Sequence, residues 1–138
     1  MALFSWNPHD ALGVPEIDTA HVGLFVLADE LHAALAQGLS LELVRNRLSA
    51  LIDGTRAHFA HEEGLMLRNA YPRYQQHKAE HDDLIRRALD FQREVAAQRI
   101  AVSAGMLQFL KDWLTRHIRE SDRLVADYLQ LEGAAVER

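Results

Sequence analysis

Residues 41–69 read LELVRNRLSALIDGTRAHFAHEEGLMLRN, and this stretch decides the fold. Val44, Leu48, Leu51, Ile52, Thr55, Phe59 and Met66 recur at steps that place side chains on one face of an α-helix, not of a strand. The stretch is rich in Leu, Ala, Glu and Arg and holds no proline, so it predicts one long helix with a buried stripe. Two polar residues interrupt that stripe. His58 and Glu62 stand four apart and point off the same face. Such side chains are costly in a core unless they are paired or coordinate an ion.

The same pattern extends outward from this helix in both directions. Upstream, Asp18 or Thr19 can cap a helix over about 18–37 that carries Leu24, Leu27, Ala28, Leu31 and Leu35 and stops near Gly38. Ser40 then caps the 41–69 helix, and Tyr71-Pro72 closes it. Downstream, Leu84, Ala88, Phe91 and Val95 mark a helix over about 73–98, and a fourth runs over about 102–131. Short links between long amphipathic helices make neighbours antiparallel. The expected fold is all-α, an up-down-up-down antiparallel four-helix bundle in which residues 1–138 form one domain.

Composition removes several classes of function. The net charge is -5 with the eight histidines neutral, and no basic cluster stands out, so a nucleic-acid partner is not expected. The absence of cysteine excludes disulfides, iron–sulfur ligation and zinc–thiolate sites, which leaves nitrogen and oxygen to hold any metal. The opening MALFSWNPHDALG lacks the charged start and apolar run of a signal peptide, and no stretch has the length of a membrane span. Cytoplasmic residence without a membrane partner is therefore the expectation.

Metal-ligand residue types interrupt the stripe of every helix. His21 precedes Leu24 and Phe25 by one turn, His77 and His81 continue the third stripe, and His117 follows Leu107, Leu110 and Leu114. Because the helices alternate direction, these positions and His58 and Glu62 all fall in one layer toward one end of the bundle. Asp122 lies five residues after His117, about 140° away on an ideal α-helix. The apolar register slips at the same place, continuing as Asp122, Val125 and Leu129, so a π-bulge between His117 and Asp122 is predicted. Five imidazoles, two bridging carboxylates and a bridging solvent oxygen fill about eleven of the twelve positions of two octahedra. Such an imidazole-rich set suits iron and favours binding oxygen over cleaving it, although the donor types alone also admit zinc or manganese.

Other polar residues receive no role from their spacing. His9 precedes the first helix, His32 lies about three turns beyond His21, and His61 sits beside the ligand face. Glu63 is expected to face solvent. Glu80, Asp82 and Asp83 read as a solvated face that pairs with Arg86 and Arg87.

Taken together the motifs resemble the hemerythrins, and more closely the single-domain bacteriohemerythrins. The resemblance rests on Ser5-Trp6, IDxxHxxLF from Ile17 to Phe25, HFxxEExxM from His58 to Met66, YPxxxxHxxxH from Tyr71 to His81, and WLxxHIxxxD from Trp113 to Asp122. It implies two oxo- or hydroxo-bridged irons, one held by His77, His81 and His117, the other by His21 and His58, with Glu62 and Asp122 across both. It also implies that the two-histidine iron carries the open position, where dioxygen is held end-on as hydroperoxide, and that Leu24, Phe59, Trp113 and Ile118 line the oxygen pocket. Reversible carriage, storage or delivery of dioxygen by a free-standing protein that is not an enzyme follows as the expected function. Its partners would be dioxygen and a reductase or oxygen-using enzyme. The competing readings are a di-iron enzyme that reduces nitric oxide or peroxide or oxidises a small substrate, and a module that senses oxygen or iron through docking.

Overall fold

The computed structural model of the chain describes residues 11–38, 40–97 and 104–131, with side chains in the last span from residue 108 onward. Helix α1 spans Pro15–Ala36, α2 Leu41–Arg68 and α3 Tyr74–Ala96. The fourth rod is α4 over Ala104–Arg116, a π-helical turn over His117–Asp122, and α5 over Arg123–Leu131. Helix α1 packs on α2 and α2 on α3, which makes the molecule a four-helix bundle as expected. Among the described residues no helix is long and apolar enough to cross a membrane. The far end predicted for the third helix, the start predicted for the fourth, Ser5-Trp6 and His9 lie outside the described residues.

Helix α1 begins three residues before the predicted start, because Pro15 occupies its first turn and Val14 is the cap residue. Asp18 is therefore not the cap. Its carboxylate reaches back instead, accepting from Leu12 N at 2.8 Å and Gly13 N at 3.2 Å. Gly13 has φ +82, and a Cβ there would strike the Gln130 side chain, whose Nε2 donates to Leu12 O. The entry to α1 is thus pinned to α5. Ser40 does cap α2, its Oγ accepting from Leu43 N at 3.2 Å.

The far end of α2 closes on Ala70 in the left-handed region, φ 52, with Tyr71 N donating to Met66 O at 2.9 Å. Tyr128 Oη donates to Asn69 O at 2.7 Å and so ties this turn to α5. Two apolar clusters fill the interior. One gathers Leu24, Ala28, Leu31, Leu48, Leu51, Ile52 and Leu114, and the other Leu12, Ile17, Leu65, Met66, Val125 and Leu129. His21, His58, Glu62, His77, His81, His117 and Asp122 occupy chain positions between these two sets and are all buried.

Candidate metal centre

The predicted π-bulge exists and does what the register required. Across His117–Asp122 the wider turn brings two residues five apart onto one face, so both are buried while Arg119 and Glu120 stay exposed. Helices α1, α2 and α3 need no such device. Their ligand-type residues sit at normal helical spacing on the buried face.

All seven predicted residues converge. Glu62, His77, His81, His117 and Asp122 offer ligand atoms that lie within 4.8 Å of one another, and so do His21, His58, Glu62 and Asp122. The two groups share both carboxylates, and each carboxylate divides its oxygens between them. Glu62 Oε1 lies 2.7 Å from His77 Nε2 and 3.2 Å from His81 Nε2, while Oε2 faces His58 Nε2 at 3.7 Å. Asp122 Oδ1 lies 3.0 Å from both His77 Nε2 and His117 Nε2, and Oδ2 lies 3.0 Å from His21 Nε2.

These atoms satisfy one another only in part: Glu62 Oε1 is hydrogen bonded to His77 Nε2 at 2.7 Å. Among the described residues His21 Nδ1 and Nε2, His58 Nδ1 and Nε2, Glu62 Oε2 and both oxygens of Asp122 are buried without a hydrogen-bond partner. Leaving such groups unpaired costs about 1–3 kcal/mol each, more for charged ones. The ligand atoms of each group lie within 4.8 Å of one another, an arrangement that a cation can complete. His81 Nε2 and His117 Nε2 face each other at 3.0 Å, so two lone pairs would collide there unless a proton or a metal ion lay between them. The donor set therefore fits a pair of metal ions.

Without a metal, protons take up part of that burden. Burial opposes charge on His117, but the Asp122 carboxylate, with Glu80 and Glu62, reverses this and raises its pKa to about 10. Burial opposes charge on His77 too, and the Asp122 and Glu62 carboxylates beside it raise it to about 9. His58 goes the other way, to about 4, chiefly through burial. Burial pushes the Asp122 and Glu62 carboxyls upward, yet their histidine neighbours hold both below the ordinary carboxylate values.

Leu24, Phe59 and Ile118 are buried, and Trp113 is partly so. Phe59 stacks on His81 with ring centroids 3.7 Å apart, and Trp113 stacks on His117 at 4.6 Å. Both rings thus lean on the three-histidine group. Phe59 also approaches His58 at 6.0 Å.

Glu63, read as solvent-facing, is not, and Glu80, exposed as read, is also engaged with the layer. Glu63 has a side chain only 19% exposed, and its Oε2 lies 2.9 Å from His81 Nδ1. Glu80 is 45% exposed, but its Oε1 lies 2.9 Å from His117 Nδ1 and accepts from Ser121 Oγ at 2.7 Å. The rest of that acidic face behaves as expected, Asp82 pairing with Lys78 and Asp83 with Arg86 and Arg87. His61 stays outside the layer and pairs with Glu16 at 2.9 Å on the surface.

Residues 12–129 match the family model described as the hemerythrin HHE cation binding domain. The chain is 34% identical over 125 residues to a bacteriohemerythrin of Methylococcus capsulatus, covering 90% of this chain and 95% of that protein. It is 30% identical over 130 residues to a bacteriohemerythrin of Stenotrophomonas maltophilia, covering 94% and 84%. A solved wild-type hemerythrin superimposes with a TM-score of 0.88 at 32% identity, over 93% of this chain and 98% of that one. Likeness of that extent, in sequence and in fold alike, means that this chain belongs to the hemerythrin family.

Proposed function

We propose that the chain binds dioxygen reversibly at a pair of iron ions, with His77, His81 and His117 on one, His21 and His58 on the other, and Glu62 and Asp122 across both. The observation that carries this reading is the split of each carboxylate, one oxygen toward each histidine group. Five neutral imidazoles with only two anions suit iron in a low oxidation state, and the family supports it. When bound, such a pair supplies electrons that dioxygen borrows and returns.

The protein's own part is to keep the exchange dry and local. Leu24, Phe59, Trp113 and Ile118 would form the oxygen pocket, and apolar walls exclude water and slow proton entry, which disfavours autoxidation. The bundle also holds an apolar cavity of about 40 Å³, lined by residues that include Ala28, Leu48, Thr55, Ala88, Leu110 and Leu114. Thr55 and Leu114 lie one turn before His58 and His117. The Thr55 hydroxyl donates to Leu51 O at 2.7 Å, so it offers the cavity no free donor. Such a space suits a small apolar gas.

A di-iron enzyme would need an acid beside the open position. The polar recess that holds Tyr71, Gln76, His77, Glu80, Glu120 and Ser121 reaches the three-histidine side instead. His21 and His58 have no hydrogen-bonding partner among the described residues. Both facts favour carriage over turnover.

The test is an oxygenation cycle. Iron-loaded protein, reduced without air and then exposed to it, should gain a visible charge-transfer band that disappears on degassing and returns in repeated cycles. A band that vanishes once, with formation of product, would replace carriage by enzymatic reduction.

A further inference from the structure

The outer nitrogens of the layer are treated unequally. His81 Nδ1 donates to Glu63 Oε2 and His117 Nδ1 to Glu80 Oε1, each at 2.9 Å. Ser121 Oγ holds Glu80 in place from within the π-helical turn. The same turn that puts Asp122 into the layer thus also supports the carboxylate behind His117. On the other side His21 Nδ1 and His58 Nδ1 are buried with no partner among the described residues.

A carboxylate that accepts Nδ1–H fixes the tautomer so that the Nε2 lone pair faces the layer. It also pushes electron density toward Nε2, making the ring a stronger donor to a metal ion. Two of the three histidines in one group have this support, and neither histidine of the other group does. Glu63 and Glu80 further add negative charge behind His81 and His117, where it stabilises a cation.

We propose that Glu63 and Glu80 are positioning residues that make the two metal positions unequal: the position held by His77, His81 and His117 fills first and holds its ion tightly, whereas the position held by His21 and His58 fills second and releases first. This rests on the two-ion reading above. It adds an order of assembly and names the residues that set it. Neither Glu63 nor Glu80 belongs to the donor groups that converge on the layer, and each acts through the imidazole in front of it.

The experiment is anaerobic titration of the metal-free full chain with cobalt(II), followed by its ligand-field absorption. The wild type should bind two equivalents in two separable steps. Glu63→Gln and Glu80→Gln keep a hydrogen-bond acceptor and remove the charge. Each should leave the helical circular dichroism unchanged, weaken the first step about 10–100-fold and leave the second step as it was. In a His58→Ala background, where one step remains, Glu80→Gln should weaken that step by the same factor. Wild-type affinity for the first equivalent in both glutamine variants would overturn the proposal while leaving the two-ion reading intact. Equal weakening of both steps would overturn it as well, because the carboxylates would then act on the fold. A wild type that takes up a single ion would bring down the two-ion reading and the proposal together.

Discussion

Asp122 faces histidines of both groups, with His77, His117 and His21 each 3.0 Å from one of its oxygens. The charges it organises make the metal-free protein sensitive to pH in both directions. His77 and His117 have folded pKa values raised from 6.5 to about 9 and about 10, because Asp122, Glu62 and, at His117, Glu80 outweigh burial. They stabilise the fold fully below 6.5, and that stabilisation is lost as pH climbs through 9 to 10. Glu62 and Asp122 are lowered despite burial, and burial lowers His58 to about 4, so these groups stabilise the fold above their ordinary values and lose that effect as pH falls. Denaturant melts of chelator-treated protein should therefore show greatest stability near pH 6.5 and a decline as pH climbs from there toward 9 and 10. Stability that rises steadily from pH 7 to pH 10 would contradict this charge assignment. Metal displaces the ring protons of His77 and His117, so metal affinity should rise with pH over the same alkaline range. The seven layer residues were legible one by one because each breaks an apolar stripe on its own helix. Glu63 and Glu80 were not, because each serves a histidine on a neighbouring helix, and the register of one helix carries no record of what faces it from another.

At the scale of the element, helix extents follow from periodicity and caps, and the differences have local causes. Ser40 before Leu41 is a capping serine in sequence and in structure. Asp18 looks like a cap by type, but Pro15 starts the helix one turn earlier and leaves the carboxylate to hold the incoming chain. The π-helical turn is the most informative element, because two independent slips, of a ligand and of the apolar register, pointed to the same extra residue. Deleting Glu120, which is exposed, should convert His117 and the aspartate to α-helical spacing and draw them closer along the axis by about 1.5 Å. The metal-free variant should then melt no lower than the parent, since a continuous α-helix restores regular hydrogen bonding. Its metal uptake should fall well below that of the parent, because a site misplaced by about 1 Å loses its geometry. Uptake equal to the parent would mean that the π-turn is dispensable.

For the whole molecule, the layer is a set of buried polar groups placed along each helix between two apolar clusters, and those without a hydrogen-bond partner among the described residues have lost hydration that an ion would replace. Metal binding should therefore be strongly linked to stability. With free metal a thousandfold above its dissociation constant, linkage gives about 4 kcal/mol, or about 10 °C in melting temperature for a chain of this size. Calorimetry with and without chelator checks this, and equal melting temperatures would contradict it. The bundle itself was readable because four long amphipathic stripes joined by short links leave few other arrangements. The apolar cavity within the bundle was not, because it depends on how side chains from separate helices fail to fill the space between them.

On the proposed reading, Glu62 and Asp122 hold two ions as one centre. Iron analysis combined with low-temperature Mössbauer spectroscopy of the reconstituted, oxidised protein tests it most directly. The account predicts about two irons per chain, both ferric and antiferromagnetically coupled to a diamagnetic ground state, as expected for ions that share two carboxylates and an oxygen bridge. One iron per chain, or two irons that remain magnetically independent, would contradict it.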